Sequence, residues 1–317
     1  MKDSGKSEYP ANHLSQYIPL PYSSSMTKTN KPASLFKVLD LHPRIDQANK
    51  PSELIQVTGH EALTLNARRS ITLLWHNAHR QGIEEGKDYT IEIDDLKSDR
   101  HKGYEMVEEA IIALMQTILE VRLPDGRTRR VQFLGGNDLD EPSRAAGVLV
   151  YSFDKRLVEI LRDSTIWGKI SLPVLMAFSS KYAISLYENV AQWSGLSRKT
   201  SQVVTLNEFR QILGLPKDKY PAFGALNKHV VKPAIQEINA LANFYVSILP
   251  VKTGKKVTHI RIGWWAKSQE EIQEAWKEAR RSKVGRKARI SNQVDTVLDP
   301  SPSMNRITRK PSPKTSQ

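Results

Sequence analysis

Histidines, carboxylates, hydroxyls and glycine–lysine pairs are the residues with which this chain could do chemistry, and their spacing decides which chemistry is open. The eight histidines include no two that lie two residues apart, so the His-hydrophobe-His metal pair of a rolling-circle DNA nickase is missing. His60-Glu61 opens like a zinc-protease motif, but Thr64 stands where the second histidine belongs. His76 and His79 share a helix face with no third ligand nearby, and are read as a surface or packed pair. Asp138, Asp140 and Glu141 are read as a solvated loop rather than a cation site. Gly254-Lys255-Lys256 lacks the upstream glycine and the hydroxyl of a loop that cradles nucleotide phosphates. There is no serine nucleophile elbow. The absence of cysteine removes disulfides, cysteine zinc sites, iron–sulfur clusters and thiol nucleophiles. The reading is of a chain that is not an enzyme and takes no metal and no cofactor.

The positive candidates are cations. Lys228 and Lys232 fall, with Gln236, on one face of a helical stretch over 221–241, and Asn227 lies beside them. An asparagine can pair with adenine, and a lysine can reach guanine or phosphate. Lys217 and Lys219 precede that stretch and suit phosphate anchoring, as do Arg198 and Lys199 in a Ser-Arg-Lys-Thr-Ser loop. Lys252, Lys255 and Lys256 surround one hairpin tip, and Arg127, Arg129 and Arg130 surround another.

These residues need elements to position them. In the first half, apolar spacing predicts helices over Leu65–His79 and Tyr104–Leu119, a strand over Thr90–Ile93 and a short helix near Asp94–Lys97. A hairpin turning at Pro124-Asp125-Gly126 follows. The second half repeats the plan with helices over Lys181–Trp193, Thr205–Leu213 and 221–241, the last with a kink at Pro233. Thr205 and Glu208 form a capping box, and Gly214 is placed to stop that helix. Val246 and Ile248 alternate, Thr253-Gly254 turns the chain, and Thr258, Ile260, Ile262 and Trp264 alternate back. A charged helix over Ser268–Arg281 closes the fold, with Trp264 and Trp265 read as its hydrophobic anchor rather than as a stacking site for unpaired bases. Three helices and a β-hairpin, twice over, are the plan of a winged helix-turn-helix, in which the third helix fits a major groove and the wing brings donors to phosphates. Two unrelated α+β domains remain the alternative on periodicity alone.

Charge divides the same way. Of a formal net charge of +13, residues 52–167 carry −5 and residues 168–266 carry +9. A basic half favours a polyanion, and phosphates regularly spaced along a backbone reward clustered lysine and arginine. Residues 1–51 and 283–317 are polar and broken by proline, and are read as flexible arms, with Gly285-Arg286-Lys287 a nonspecific electrostatic tether. No apolar run is long enough to span a membrane, and no secretory signal core opens the chain.

SKYAISLYE (180–188), TLNEFRQILGL (205–215) and YPAFGALNKHVVKPAIQEINAL (220–241) resemble the theta-type, iteron-binding plasmid replication initiators of the RepA/RepE-like kind. LTLNARRSITLLWHNA (63–78) and GVLVYSFDKRLVEIL (147–161) resemble the first domain of that family. The likeness covers about residues 52–266. It departs at the second wing tip, where the family commonly has Gly-Arg-Lys and this chain has Gly254-Lys255-Lys256. A planar fork is thereby replaced by a point charge. The resemblance implies an α+β fold of two tandem winged helix-turn-helix domains, over 52–167 and 168–282, between the two arms. The first, acidic domain is assigned to dimerisation and secondary DNA contact, the second to the main DNA contact. The resemblance further implies binding to double-stranded DNA at origin direct repeats, duplex opening, recruitment of the host initiator and replicative helicase, a homodimer in equilibrium with monomer, and repression of its own promoter. The setting it implies is the bacterial cytoplasm, on plasmid DNA. A winged-helix transcriptional regulator without an initiation role shares the same DNA chemistry. A relaxase or nuclease is disfavoured by the missing motifs.

Thirteen basic residues in 168–266 generate a first prediction. If about six to eight of them meet phosphates, log affinity against log salt should fall with a slope of roughly −5 to −7. A titration giving a slope near zero would remove the basic surface from the binding account.

Overall fold

The structure, a computed structural model, describes residues 46–97, 104–123, 126–138, 147–196 and 200–291. Arg198, Lys199, Asp140, Glu141 and the Pro124-Asp125 turn lie outside the described residues, as do 1–45 and 292–317.

The first strand, β1 (Gln47–Pro51), runs into α1 (Ser52–Ile55) and then α2 (Leu65–Gln81). Thr64 starts α2 by accepting the Ala67 N–H at 3.2 Å, and Gly82, with φ +82°, ends it. Its inner face buries Ala67, Ile71, Leu74, Trp75 and Ala78. Next come β2 (Tyr89–Glu92), α3 (Ile93–Leu96) and α4 (Glu105–Gln116). α4 stops three residues short of its expected end. At Thr117 the backbone turns extended and the hydroxyl donates to the Ala113 carbonyl at 2.7 Å. Ile118, inside the expected helix, instead begins a strand and is 48% exposed.

That strand, β3 (Ile118–Arg122), pairs antiparallel with β4 (Thr128–Gln132) as the expected hairpin. The sequence reading gave no strands to β5 (Leu134–Asp138) and β6 (Val148–Phe153), which form a second sheet in the order β2-β6-β5. α5 (Lys155–Arg162) follows, capped by Asp154, whose carboxylate accepts the Leu157 N–H at 3.1 Å.

β7 (Trp167–Ser171) pairs antiparallel with β1 along its whole length, Gln47 opposite Ser171 and Pro51 opposite Trp167. Two expected boundaries fall here and are corrected. Residues 47–51, assigned to the flexible N-terminal arm, are a buried strand, and the division at 167/168 cuts through its partner. Ala48 and Ile170, both fully buried, belong to the second core rather than the first. The pairing holds because each strand supplies the other's backbone hydrogen bonds in a place closed to water.

The second half contains α6 (Leu172–Ala177), α7 (Lys181–Leu196), β8 (Ser201–Thr205) and α8 (Leu206–Leu213). The capping box is present: Thr205 Oγ1 accepts the Glu208 N–H at 3.1 Å and Glu208 accepts the Thr205 N–H at 2.7 Å. Gly214, with φ +62°, ends α8. Only glycine suits this position, because a Cβ would also strike the Arg68 guanidinium and the His60 ring. The long third helix follows in three parts: α9 (Phe223–Leu226), a π-turn (Asn227–Val231) and α10 (Lys232–Leu241). The wing is β9 (Phe244–Thr253) and β10 (Lys256–Ala266), in a sheet ordered β8-β10-β9. Beyond it lie α11 (Gln269–Arg280) and α12 (Arg286–Ile290).

α12 corrects the expectation of a free basic tail from 283. Arg286 is only 3% exposed and donates to the Ala177 carbonyl at 2.5 Å and the Arg281 carbonyl at 2.9 Å. It also pairs with Glu278 at 3.2 Å, and Arg289 pairs with the same carboxylate at 2.7 Å. These two cations hold the fold closed, so Arg286 is spent inside the protein and is no tether.

The two domains meet across a seam of buried charge. Lys50 of β1 reaches Glu188 of α7 at 2.7 Å with side chains only 3% and 7% exposed. Thr72 joins them, donating to Glu188 at 3.0 Å and accepting from Lys50 at 3.0 Å. Arg68 of α2 donates to the Ser185 hydroxyl and to the His60 carbonyl at 3.2 Å. Arg69 donates to the Phe178 carbonyl. Burial pushes the Lys50 ammonium below its ordinary range, opposed by its attraction to Glu188. Burial pulls Arg68 down to about 10, and burial together with Arg68 pulls His60 down to about 3.

Glu188→Ala should therefore destabilise the protein by about 3–5 kcal/mol, because it strands the Lys50 ammonium away from water. Lys50→Met with Glu188→Leu should be neutral or stabilising. Urea unfolding of both variants measures the difference, and equal losses would show that the pair is not the anchor of the seam.

Candidate nucleic-acid interface

The third helix of the second domain is amphipathic, as its spacing predicts. Leu226, Val230, Ala234 and Ile238 are buried with Phe223 packed beside them, while Lys228, Lys232 and Gln236 are exposed and Asn227 is half-buried. Pro233, where a kink was expected, falls just after a π-turn. Proline has no N–H to donate, and its ring crowds the carbonyl four residues back. The chain answers with one wider turn: the Lys232 N–H donates to the Asn227 carbonyl five residues behind it. Pro233 then occupies the first turn of α10, where its missing N–H leaves no bond unmade.

The turn into this helix is held by a residue that the sequence reading missed. Arg210, near the end of α8, donates to four carbonyls: Tyr220 at 2.8 Å, Pro216 at 3.2 Å, Lys217 at 3.0 Å and Lys219 at 2.7 Å. A guanidinium carries five donors in a fixed fork, so one side chain can gather a whole loop. Tyr220 is the only described non-glycine residue with positive φ, at 54°. Such a conformation costs of order 1–3 kcal/mol and persists where its surroundings impose it. Here they are Arg210 on its carbonyl and His229 stacked on its ring at 5.6 Å, with 16° between the planes. The loop presents Lys217 and Lys219, both exposed, just ahead of Lys228. Arg68, from the first domain, touches the other side of the same corner, donating to the Gly214 and Leu213 carbonyls at 3.4 Å each.

The second wing turns tightly. Thr253 faces Lys256, so Gly254 and Lys255 are a two-residue loop. Gly254 takes φ +61° at the first loop position, where a II′ hairpin calls for glycine. Lys252, Lys255 and Lys256 are exposed around it. Trp264 is buried against Trp193 of α7, while Trp265 is 49% exposed and lies against Tyr245.

The two sets of candidate cations differ in state. Among the described residues no carboxylate pairs with Lys217, Lys219, Lys228, Lys232, Lys252, Lys255 or Lys256, whereas Arg129 pairs with Glu159 and Arg130 with Glu120, each at 2.8 Å. Arg127 is exposed beside them. A cation already facing a carboxylate must give up that partner before it gains a phosphate. The structure thus gathers the loop, helix and wing lysines into one domain and sets the first wing's arginines in an acidic neighbourhood. Among the described residues no group of histidines and carboxylates is arranged to hold a metal ion, and no helix is long and apolar enough to cross a membrane.

Helix, turn, helix and wing, present twice, have counterparts among known protein families. The profile described as initiator replication protein WH1 matches residues 47–191, and that described as initiator Rep protein WH2 matches residues 205–264. Together they span more than half of the chain. The chain belongs to the initiator replication protein family. The likeness read from residues 52–266 is borne out, and both domains of this initiator are winged helices. The WH1 match runs through β7 into α7, consistent with the shared strand pair at that boundary. No curated protein matches the sequence significantly. Among solved structures, the Pi initiator protein in complex with iteron DNA shares 18% identity and a TM-score of 0.55, over 71% of this chain and 98% of that one. Domains 2 and 3 of RctB share 13% identity and a TM-score of 0.39, over 65% and 81%.

Lys228→Ala should cost the initiator more affinity than Arg129→Ala. A lost base contact would amount to about 1–3 kcal/mol with relaxed specificity at one base pair, and a lost phosphate contact would weaken all sequences alike. A larger loss from Arg129→Ala would transfer the main contact to the first wing.

Proposed function

We propose that this initiator binds tandem direct repeats in double-stranded DNA at a plasmid origin, chiefly through its second domain. The observation that carries the proposal is the array of seven lysines, facing no carboxylate among the described residues, with Asn227 on the loop, third helix and wing of a single domain. The third helix enters the major groove, with Asn227 and Lys228 toward base edges. Lys217, Lys219 and Lys232 meet the flanking phosphates, and Lys252, Lys255 and Lys256 bring the wing onto the backbone. Arg198 and Lys199 join them as phosphate anchors. Arg127, Arg129 and Arg130 make a secondary contact once the ion pairs of Arg129 and Arg130 exchange. The similar fold of the Pi initiator, whose structure contains iteron DNA, supports this docking.

The role we propose is that of a non-enzymatic initiator on plasmid DNA in a bacterial cytoplasm. It opens the duplex, recruits the host initiator and replicative helicase, exchanges between monomer and homodimer through its first domain, and represses its own promoter as the dimer.

The test is a plasmid lacking every other replication gene, followed for maintenance with and without this chain. Maintenance that depends on the chain, and is lost with Lys228→Ala and Lys232→Ala together, is the expected result. Repression of the adjacent promoter without maintenance would instead make the chain a transcriptional regulator.

A further inference from the structure

We propose that copies of this initiator on neighbouring repeats touch head to tail. The outer face of the β8-β10-β9 sheet of one copy meets the exposed stripe of α4 and β3 of the next. The proposal rests on the direct-repeat reading above. Sites repeated in one orientation are related by a translation along the duplex and a rotation about it, with no two-fold axis between them. A contact between neighbours must then be heterologous, and one chain must carry two different faces that fit each other.

The first face belongs to the sheet. Its inner side is core, with Val246, Ile260, Ile262 and Trp264 buried. On its outer side Leu249 is 59% exposed, Val203 47% and Trp265 49%. The register places Leu249 and Val203 on either side of Arg261, and Trp265 opposite Tyr245. His259 is exposed one step nearer the wing tip. The three strands contain no aspartate or glutamate. Around Leu249 and Val203 this is an apolar surface bordered by Arg261 and His259, and its complement is an apolar surface bordered by carboxylates.

The same chain has one. On α4, Glu105, Glu109, Ile112 and Gln116 recur at helical spacing on the exposed side, and Ile118 continues the stripe into β3. Ile112 is 45% exposed and Ile118 48%. The segment that contains them carries a net charge of −5 against +9 for the segment of the sheet. An exposed apolar stripe rimmed by carboxylates is the kind of surface that a partner with a basic border can cover.

A single-stranded nucleic acid is the other class of occupant that a basic face with an exposed tryptophan suggests. The observations favour protein. Aliphatic Leu249 and Val203 flank Arg261 where a stacking platform would need rings. The aromatic end is also edged by a carboxylate, since the Tyr245 hydroxyl donates to Glu271 at 2.8 Å.

The experiment uses the full chain and duplexes that carry one or two direct copies of a site obtained by in vitro selection. Two copies are set about two helical turns apart, or half a turn further, at about 10.5 base pairs per turn. The second copy should bind about 5–150-fold more tightly than a single site at the in-phase spacing, and no more tightly at the half-turn spacing. Leu249→Glu and Ile112→Arg should each abolish this gain while keeping single-site affinity, which also reports that the variants fold. A mixture of the two variants should recover part of the gain, because one supplies an intact stripe and the other an intact sheet face. No gain with the unaltered chain, a gain that survives both variants, or a mixture that recovers nothing would overturn the head-to-tail contact. So would binding of oligothymidylate that Leu249→Glu and Trp265→Ala both remove, since the face would then serve nucleic acid. Failure to select any site would instead sink the origin-binding reading itself.

Discussion

Lys50 gives up water for one carboxylate. Its ammonium lies in the interior against Glu188, and much of the molecule is arranged so that this exchange can hold. A buried ion pair contributes little net stability compared with apolar packing, but it is unforgiving about direction. The strand that carries Lys50 must pair with β7, the helix that carries Glu188 must pass over that pair, and Thr72 must bring the first domain's α2 within reach of both. Arg68 and Arg69 extend the seam by the same logic, finding hydroxyl and carbonyl acceptors on the second domain. Apolar faces slide over one another at modest cost, whereas donors and acceptors in a dry seam do not. The relative placement of the two domains is thus set by hydrogen-bond geometry.

The corner that we propose faces DNA inherits that placement. The end of α8 and the turn after it are gripped by Arg68 from the first domain and by Arg210 from within the second. Gly214 leaves room for the first grip and supplies the left-handed backbone the corner needs. The positions of Lys217 and Lys219 therefore depend on a residue more than a hundred positions earlier in the chain. A winged helix reads DNA with one helix, but in this initiator the support of that helix reaches across both domains.

Much of this was legible in the sequence because it is local. The capping box at Thr205 and Glu208, the glycine stop at 214, the buried face of the third helix and the two-residue wing tip all follow from neighbouring residue types. What was not legible depends on partners that only the folded chain brings together. β5 and β6 are short and joined by a long connection, so no turn signal linked them. β1 lies at the end of a polar, proline-broken stretch and becomes a strand only because β7 offers an edge to it. Arg210 reads in sequence as one more surface cation, and only the fold shows four carbonyls converging on it. Arg286 was read as a tail residue by composition, yet the Glu278 carboxylate and four carbonyls draw it inward. In each case the deciding partner lies too far away in sequence for spacing or composition to reveal it, or takes its place only once the chain has folded.

The π-turn at Asn227–Val231 gives the third helix the arithmetic of a vernier. One residue more than an α-helical turn is wound in at that point, so side chains before it and side chains after it follow two slightly offset scales. Asn227 and Lys228 are read off one scale and Gln236 off the other. The offset sets the angle between the two ends of the helix's outer face. The π-turn also makes that offset a discrete quantity, because residues are wound in or lost only one at a time. Losing one residue from 227–231 would return the segment to a single scale, leaving the buried stripe of the helix recognisable and turning one end of its outer face against the other.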